Sequence, residues 1–317
     1  MRAGNIYKIV VPISLKGDSE QALKQALFLC KKTKSTLTLL HVVPSDKSIL
    51  RVMRSNINKR LQARGMVRLI RFAKLFFEGK IPNNIHLKVE IGNHVESIID
   101  FANSERFDLL VLNSGKRIHN LSSRLKRQSV ERIVRETICP VISVNDRWTN
   151  RGVRDILVPI DITRKSKDLI EWCIFMGQTF NARIELLAAL TVKIELKRSL
   201  AYRKTQIMKN WIERDGVSCK VEIVEREMSS RIDTTLEELK HRKADLILIK
   251  GHRDLIFSDT EGERMMSEII KSSKVPVMSL GIEFEEFFTD IIGANSQKKN
   301  DRIPFYMYEK KEYNNNH

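Results

Sequence analysis

A chain of 317 residues has room for two domains, and 42% hydrophobic with 30% charged residues is enough to build buried cores, which excludes both a single small domain and a disordered polypeptide. The longest apolar runs, such as Asp108-Leu-Leu-Val-Leu-Asn113, fall far short of the roughly twenty residues a membrane-crossing helix needs. The net charge of +17 is lopsided: residues 1–150 hold 27 Lys and Arg against 12 Asp and Glu, whereas residues 151–317 hold 29 against 27.

In chain order, Lys8-Ile-Val-Val-Pro-Ile-Ser14 reads as a buried strand, Ser19 to Lys32 as a helix and Leu37-Thr-Leu-Leu-His-Val-Val43 as a second strand. A long helix follows. Residues 51–77 carry Arg51, Arg54, Lys59, Arg60, Arg64, Arg68, Arg71 and Lys74 and no acidic residue. Arg60, Arg64, Arg68 and Arg71 recur every three or four positions and form a stripe on one helical face, leaving Leu61, Leu69, Ile70, Phe76 and Phe77 for others. Such a stripe is either a solvated face or a surface for an anionic partner: nucleic acid, phospholipid or an acidic protein. Further strands are expected at Lys88–Gly92, Phe107–Leu112 and Cys139–Val144, with helices between them.

The pattern then starts again about 147 residues on. Asp155-Ile-Leu-Val-Pro-Ile-Asp161 repeats the first strand, Ser166 to Phe180 the first helix, and Ile184-Glu-Leu-Leu-Ala-Ala-Leu190 the second strand. Lys220–Val224, Ala244–Ile249 and Val275–Leu280 repeat the remaining three. Near-continuous apolar strands alternating with helices predict an α/β protein of two repeated, doubly wound, parallel five-stranded sheets. The expected division is residues 1–147, residues 148–282, and a polar extension over 283–317 expected to be mobile. In such sheets ligands bind beyond the carboxyl ends of the strands where the winding reverses, so the residues after strands one and four are the ones to inspect.

The order and spacing of these pieces, occurring twice, resemble the universal stress protein family in its tandem form. The carriers are Ile-Val-Val-Pro-Ile and Ile-Leu-Val-Pro-Ile-Asp161, Leu-Leu-His-Val-Val43, Asp-Leu-Leu-Val-Leu112 and Asp-Leu-Ile-Leu-Ile249, and the closing run from Val130 to Val144. The resemblance implies a Rossmann-like fold of the adenine nucleotide alpha hydrolase-like kind, and two halves that dock through their last strands as a pseudo-dimer. It also implies, for some members, an ATP site. There an Asp after strand one contacts base and ribose, and a loop of Gly-x-x-Gly, nine residues, then Gly-Ser/Thr holds the phosphates on backbone amides.

Neither half carries that pattern whole. In the first, Ser14 stands at the Asp position, Gly115 is the only glycine of the loop, and Arg127-Gln128 replace the closing Gly-Ser, although Lys116, Arg117, Arg124, Lys126 and Arg127 could hold a phosphate by side chains. In the second, Asp161 and Gly251 are in place, but Asp254, Asp259, Glu261 and Glu263 would repel a triphosphate. The candidate ligand-contacting residues are therefore Asp161, Gly251 and Gly115, each of which also has an ordinary role as a turn residue.

Cys30, Cys139, Cys173 and Cys219 are scattered without metal-ligand spacing, and Cys139, before Pro140, is expected to be a buried structural thiol. His41 is expected to pack at a strand end, and His252 has no evident partner. No paired carboxylates, nucleophile elbow or metal cluster is evident. The expected protein is a cytoplasmic, non-enzymatic stress-response protein with degenerate nucleotide sites, no metal, and no cofactor beyond weakly held ATP, acting by binding a protein partner or ligand. Two other readings stay open: an ATP-binding stress sensor, and a regulator binding RNA or lipid through Arg60, Arg64, Arg68 and Arg71. Whether the tandem chain forms a homodimer is also open.

Overall fold

The computed structural model describes residues 6–15, 19–44, 51–114, 123–145, 152–162, 166–190, 195–226, 230–250 and 260–280; the extension over 283–317, Gly115, Gly251 and His252 lie outside them. The first half runs β1 (Lys8–Pro12), α1 (Glu20–Thr33), β2 (Thr36–Val43), α2 (Arg51–Phe76), β3 (Ile85–Ile91), α3 (His94–Ser104), β4 (Leu109–Asn113), α4 (Ser123–Glu136) and β5 (Val141–Val144). The second repeats it: β6 (Asp155–Ile160), α5 (Lys167–Phe180), β7 (Arg183–Leu190), α6 (Glu195–Arg214), β8 (Cys219–Glu225), α7 (Arg231–His241), β9 (Leu246–Lys250), α8 (Thr260–Ser272) and β10 (Val277–Leu280).

The strands join into one sheet in the order β3-β2-β1-β4-β5-β10-β9-β6-β7-β8. Each half is parallel within itself, and β5 and β10 pair antiparallel, with Ser143 opposite Val277 and Ile142 opposite Met278. The expected doubly wound sheets and their docking through the last strands are thus both present. Because the seam is antiparallel, the strands of the two halves end at opposite edges of the sheet. Successive strand residues point to opposite faces, so Ile9 and Val11 join the core under α1, α2, α5 and α6, while Val10 joins the core under α3, α4 and α8. Phe28 and Phe180 stack across the halves with centroids 5.6 Å apart, and Asn145 donates through Nδ2 to the Ser273 carbonyl at 3.0 Å.

Local chemistry repeats with the topology. Lys34 and Asn181 both adopt left-handed backbone (φ 55° and 52°) to close α1 and α5. Pro140 and Pro276, lacking N–H groups, precede β5 and β10 and contribute only their carbonyls, to Leu110 and Ile247, so these strands begin two residues later than their apolar runs do. Asp108 and Asp245 are also held outside their strands. Oδ2 of Asp108 accepts the amides of Tyr7 (2.8 Å) and Lys8 (2.9 Å), and Oδ2 of Asp245 those of Arg154 (2.8 Å) and Asp155 (3.1 Å). Each carboxylate ties the start of strand four to the start of strand one.

Among the described glycines the closest approach is at Gly177 of α5, where a Cβ would collide with the side chain of Val217, itself only 3% exposed. An alanine gains about 1 kcal/mol of helix propensity but forces an overpacking cost of about 1–3 kcal/mol. Gly177→Ala is therefore expected to lower stability by up to about 2 kcal/mol, read from the urea midpoint at unchanged m value.

Candidate binding crevices

Winding reverses between β1 and β4 in the first half and between β6 and β9 in the second, so a crevice lies beyond the carboxyl end of each pair. At the first, β1 runs into Ile13 and Ser14. The Ile13 amide continues the ladder by donating to the Leu40 carbonyl (2.7 Å), and the Ile13 carbonyl lies 3.0 Å from Nδ1 of half-buried His41. The Ser14 amide donates to Oγ of the buried Ser19 at 2.7 Å, binding the strand end to the start of α1. On the other flank the amide and hydroxyl of Ser114 both donate to the Val144 carbonyl, at 2.8 and 3.1 Å. Backbone ties occupy this strand end, and His41 is engaged with main chain.

The second crevice is lined with charge. Asp161, directly after β6, has a side chain 20% exposed and accepts through Oδ1 from Nη1 of Arg231 at 3.0 Å. Arg231 is the first residue of α7 and reaches across from the neighbouring crossover. Beside Asp161, the Ile162 carbonyl accepts from Nζ of Lys204 on α6 at 3.3 Å. Lys250, the last residue of β9 and the one before Gly251, places its ammonium 2.7 Å from Oδ1 of Asp168 in the first turn of α5. Both members of that pair are nearly dry, with side chains 13% and 10% exposed. Of the sequence candidates, the structure thus sets Asp161 at the switch point, with Arg231 and the Lys250–Asp168 pair nearby. Those three residues were not singled out from sequence, because their contacts span 70 and 82 positions.

Comparison of the repeats does carry a trace of the second pair. Gln21 and Asn113 occupy in the first half the positions of Asp168 and Lys250, so both members are neutral in one copy and charged in the other. Burial pushes the Cys139 thiol up to about 12 and, with the charges of Cys219 and then Asp168 adding to it, Cys173 well above its ordinary value, so neither is a thiolate at neutral pH. Among the described residues no group of three His, Cys, Asp or Glu could hold a metal ion.

The basic stripe lies on α2, at the β3 end of the sheet. Gly65, Leu69 and Ala73 face inward and are buried, with Gly65 set against Val43 and Val89. Arg60, Arg64, Arg68, Arg71 and Lys74 are exposed on the opposite side. Among the described residues none of these five cations has a carboxylate within ion-pairing distance. Two apolar side chains absent from the sequence reading stand among them: Val67, 66% exposed, and Leu75, 77% exposed. A shallow groove of about 540 Å³ runs between Val67, Ile70, Arg71, Lys74, Leu75 and Glu78. Among the described residues no helix is long and apolar enough to cross a membrane.

Residues 5–145 match the model of the universal stress protein family. Three solved structures resemble the whole chain. A universal stress protein from Archaeoglobus fulgidus is 15% identical with a TM-score of 0.63, covering 87% of this chain and 98% of its own. A functionally unknown protein from Pseudomonas aeruginosa is 15% identical with a TM-score of 0.58, and a putative universal stress protein from the same species is 14% identical with a TM-score of 0.56; each covers 92% of this chain and 98% of its own. At these identities the likeness is one of fold. No curated protein matches the chain in sequence.

Proposed function

The chain belongs to the universal stress protein family through its first half, residues 5–145, and from that premise we propose that it is a non-enzymatic stress-response protein that works by binding, with both nucleotide crevices degenerate. Asp161, Gly115 and Gly251 are what remain of the family's ligand-contacting set in this reading, and residues 1–147 and 148–282 are its two domains.

The observation that carries the proposal is the Asp161–Arg231 ion pair. The carboxylate that would receive a nucleoside is already engaged by a guanidinium, and a nucleotide would have to break that pair to use it. Ser14, at the matching place in the first half, brings no carboxylate and already has its amide bonded to Ser19. The chain that follows β9 carries Asp254, Asp259, Glu261 and Glu263 in sequence, a run of like charge that disfavours a triphosphate.

A thermal-shift titration with ATP and magnesium tests this. A ligand at a hundred times its Kd adds about 2.7 kcal/mol to the stability of the native state. The expected result is an unchanged Tm at millimolar ATP. A rise with ATP that Asp161→Asn abolishes would overturn the proposal in favour of an ATP-binding sensor.

A further inference from the structure

The outer face of α2 plays no part in the crevices, yet it is the most one-sided surface described. Helical spacing sets Arg60, Arg64, Val67, Arg71 and Lys74 in one line along it, with Arg68 and Leu75 alongside. The helix of 26 residues is about 39 Å long. It contains no acidic residue, so its cations have no helical partner to neutralise them. Core packing explains the inner line of Gly65, Leu69 and Ala73 but not two aliphatic side chains left more than half exposed among guanidinium groups.

We propose that this face is a docking surface for an anionic lipid bilayer, on which α2 lies parallel to the membrane plane. Charge complementarity is the first argument: five cations on one face, none paired among the described residues, in a half that carries 27 basic residues against 12 acidic ones, match a negatively charged leaflet. The second is the chemistry of the two exposed apolar groups. Val67 and Leu75 are aliphatic, suited to insertion among acyl chains at the interface, while the flanking Arg and Lys stems reach the headgroups. A single-stranded nucleic-acid groove uses aromatic faces for its bases, and the outward line has none; Phe72, Phe76 and Phe77 pack against the core instead, and a duplex, held through its phosphates, would have no use for Val67 and Leu75. The protein would lie on the membrane and not span it. This inference stands apart from the crevice reading, since it uses none of the same residues.

The test is co-sedimentation of the full chain with phosphatidylcholine vesicles, with and without about 30% phosphatidylserine, at increasing salt. Binding is expected only with phosphatidylserine and to weaken as salt rises. The quadruple variant Arg60→Glu, Arg64→Glu, Arg68→Glu, Arg71→Glu is expected to lose binding by more than about tenfold. Val67→Ser with Leu75→Ser, which leaves every charge in place, is expected to weaken vesicle binding several-fold. All six side chains are on the surface, and circular dichroism with thermal unfolding checks that each variant remains folded. Absence of phosphatidylserine-dependent binding, or equal binding by the quadruple variant, overturns the proposal. So does vesicle binding unaffected by the two serines when the protein also holds single-stranded RNA as tightly, which would make the face a general polyanion site.

Discussion

Asp168→Asn is expected to destabilise the protein by about 4 kcal/mol and Lys250→Met by about 3 kcal/mol, because each breaks a nearly dry ion pair by removing one of its partners. The order of the two follows from the helix. Asp168 lies in the first turn of α5, where the partial positive charge of the helix N-terminus favours an anion and disfavours a cation. Removing Lys250 leaves the charge that this end of the helix tolerates; removing Asp168 leaves the one it repels. The double variant Asp168→Gln, Lys250→Asn installs the pair that the first half already carries at Gln21 and Asn113. It leaves no buried charge, and its expected cost is within about 1 kcal/mol, since replacing both partners of a buried pair is commonly close to neutral. Urea unfolding of the three variants checks this. A double variant as unstable as Asp168→Asn alone would show that the cost came from packing and not from charge.

Arg242→Met is expected to cost about 3 kcal/mol at neutral pH. Arg242, 13% exposed, stands between three carboxylates: it donates through Nη1 to Glu185 and to Glu222 (2.7 Å), and through Nη2 to Glu222 (2.6 Å) and Glu238 (2.9 Å). This ties β7, β8 and α7 together at the far end of the sheet. Without the guanidinium, three carboxylates repel one another, relieved by the mostly exposed Lys220 at Glu185 and Glu222 and by Arg226 at Glu238. Lysine cannot form the paired bonds to Glu222, so Arg242→Lys is expected to recover only part of the loss. Hydrogen bonds from Arg242, then from Lys220, hold the Glu222 carboxyl down at about 2, against an ordinary value of 4.5. A carboxyl lowered in the folded state leaves the unfolded chain binding more protons between those two values, so stability rises with pH there. The contribution of Glu222 is therefore complete above about 4.5 and is lost as pH falls towards 2. Acid unfolding of wild type and Arg242→Met is expected to converge across that window. Curves that stay parallel from pH 7 to pH 2.5 would contradict this assignment.

The fold was legible because its cause is local and occurs twice. Runs such as Ile-Val-Val-Pro and Leu-Ile-Leu-Ile are buried on both faces, and each recurs in the same order with the same helices between. Strand ends were less so. Asp108 and Asp245 stand directly before the apolar runs in sequence, yet they lie outside the strands, where their carboxylates bind the amides opening β1 and β6. The crevice was legible in part: the switch point and Asp161 follow from topology, whereas Arg231 arrives from a different crossover and nothing near Asp161 in sequence announces it. On α2 the spacing of the arginines marked the outer face, but which apolar residues shared it depends on where the helix meets the sheet. Gly65 sets that, since its missing side chain lets the helix settle against Val43 and Val89, which turns Val67 and Leu75 outward.

The antiparallel seam between β5 and β10 gives the molecule two poles. The strand end at Ser14 lies at one rim of the sheet and the strand end at Asp161 at the other. Under the binding role proposed above, an occupant at one rim would not meet an occupant at the other, and the two would load without steric competition. Influence of one strand-end edge on the other has two described routes: sideways through β4, β5, β10 and β9, and across the Phe28–Phe180 stack that joins α1 to α5.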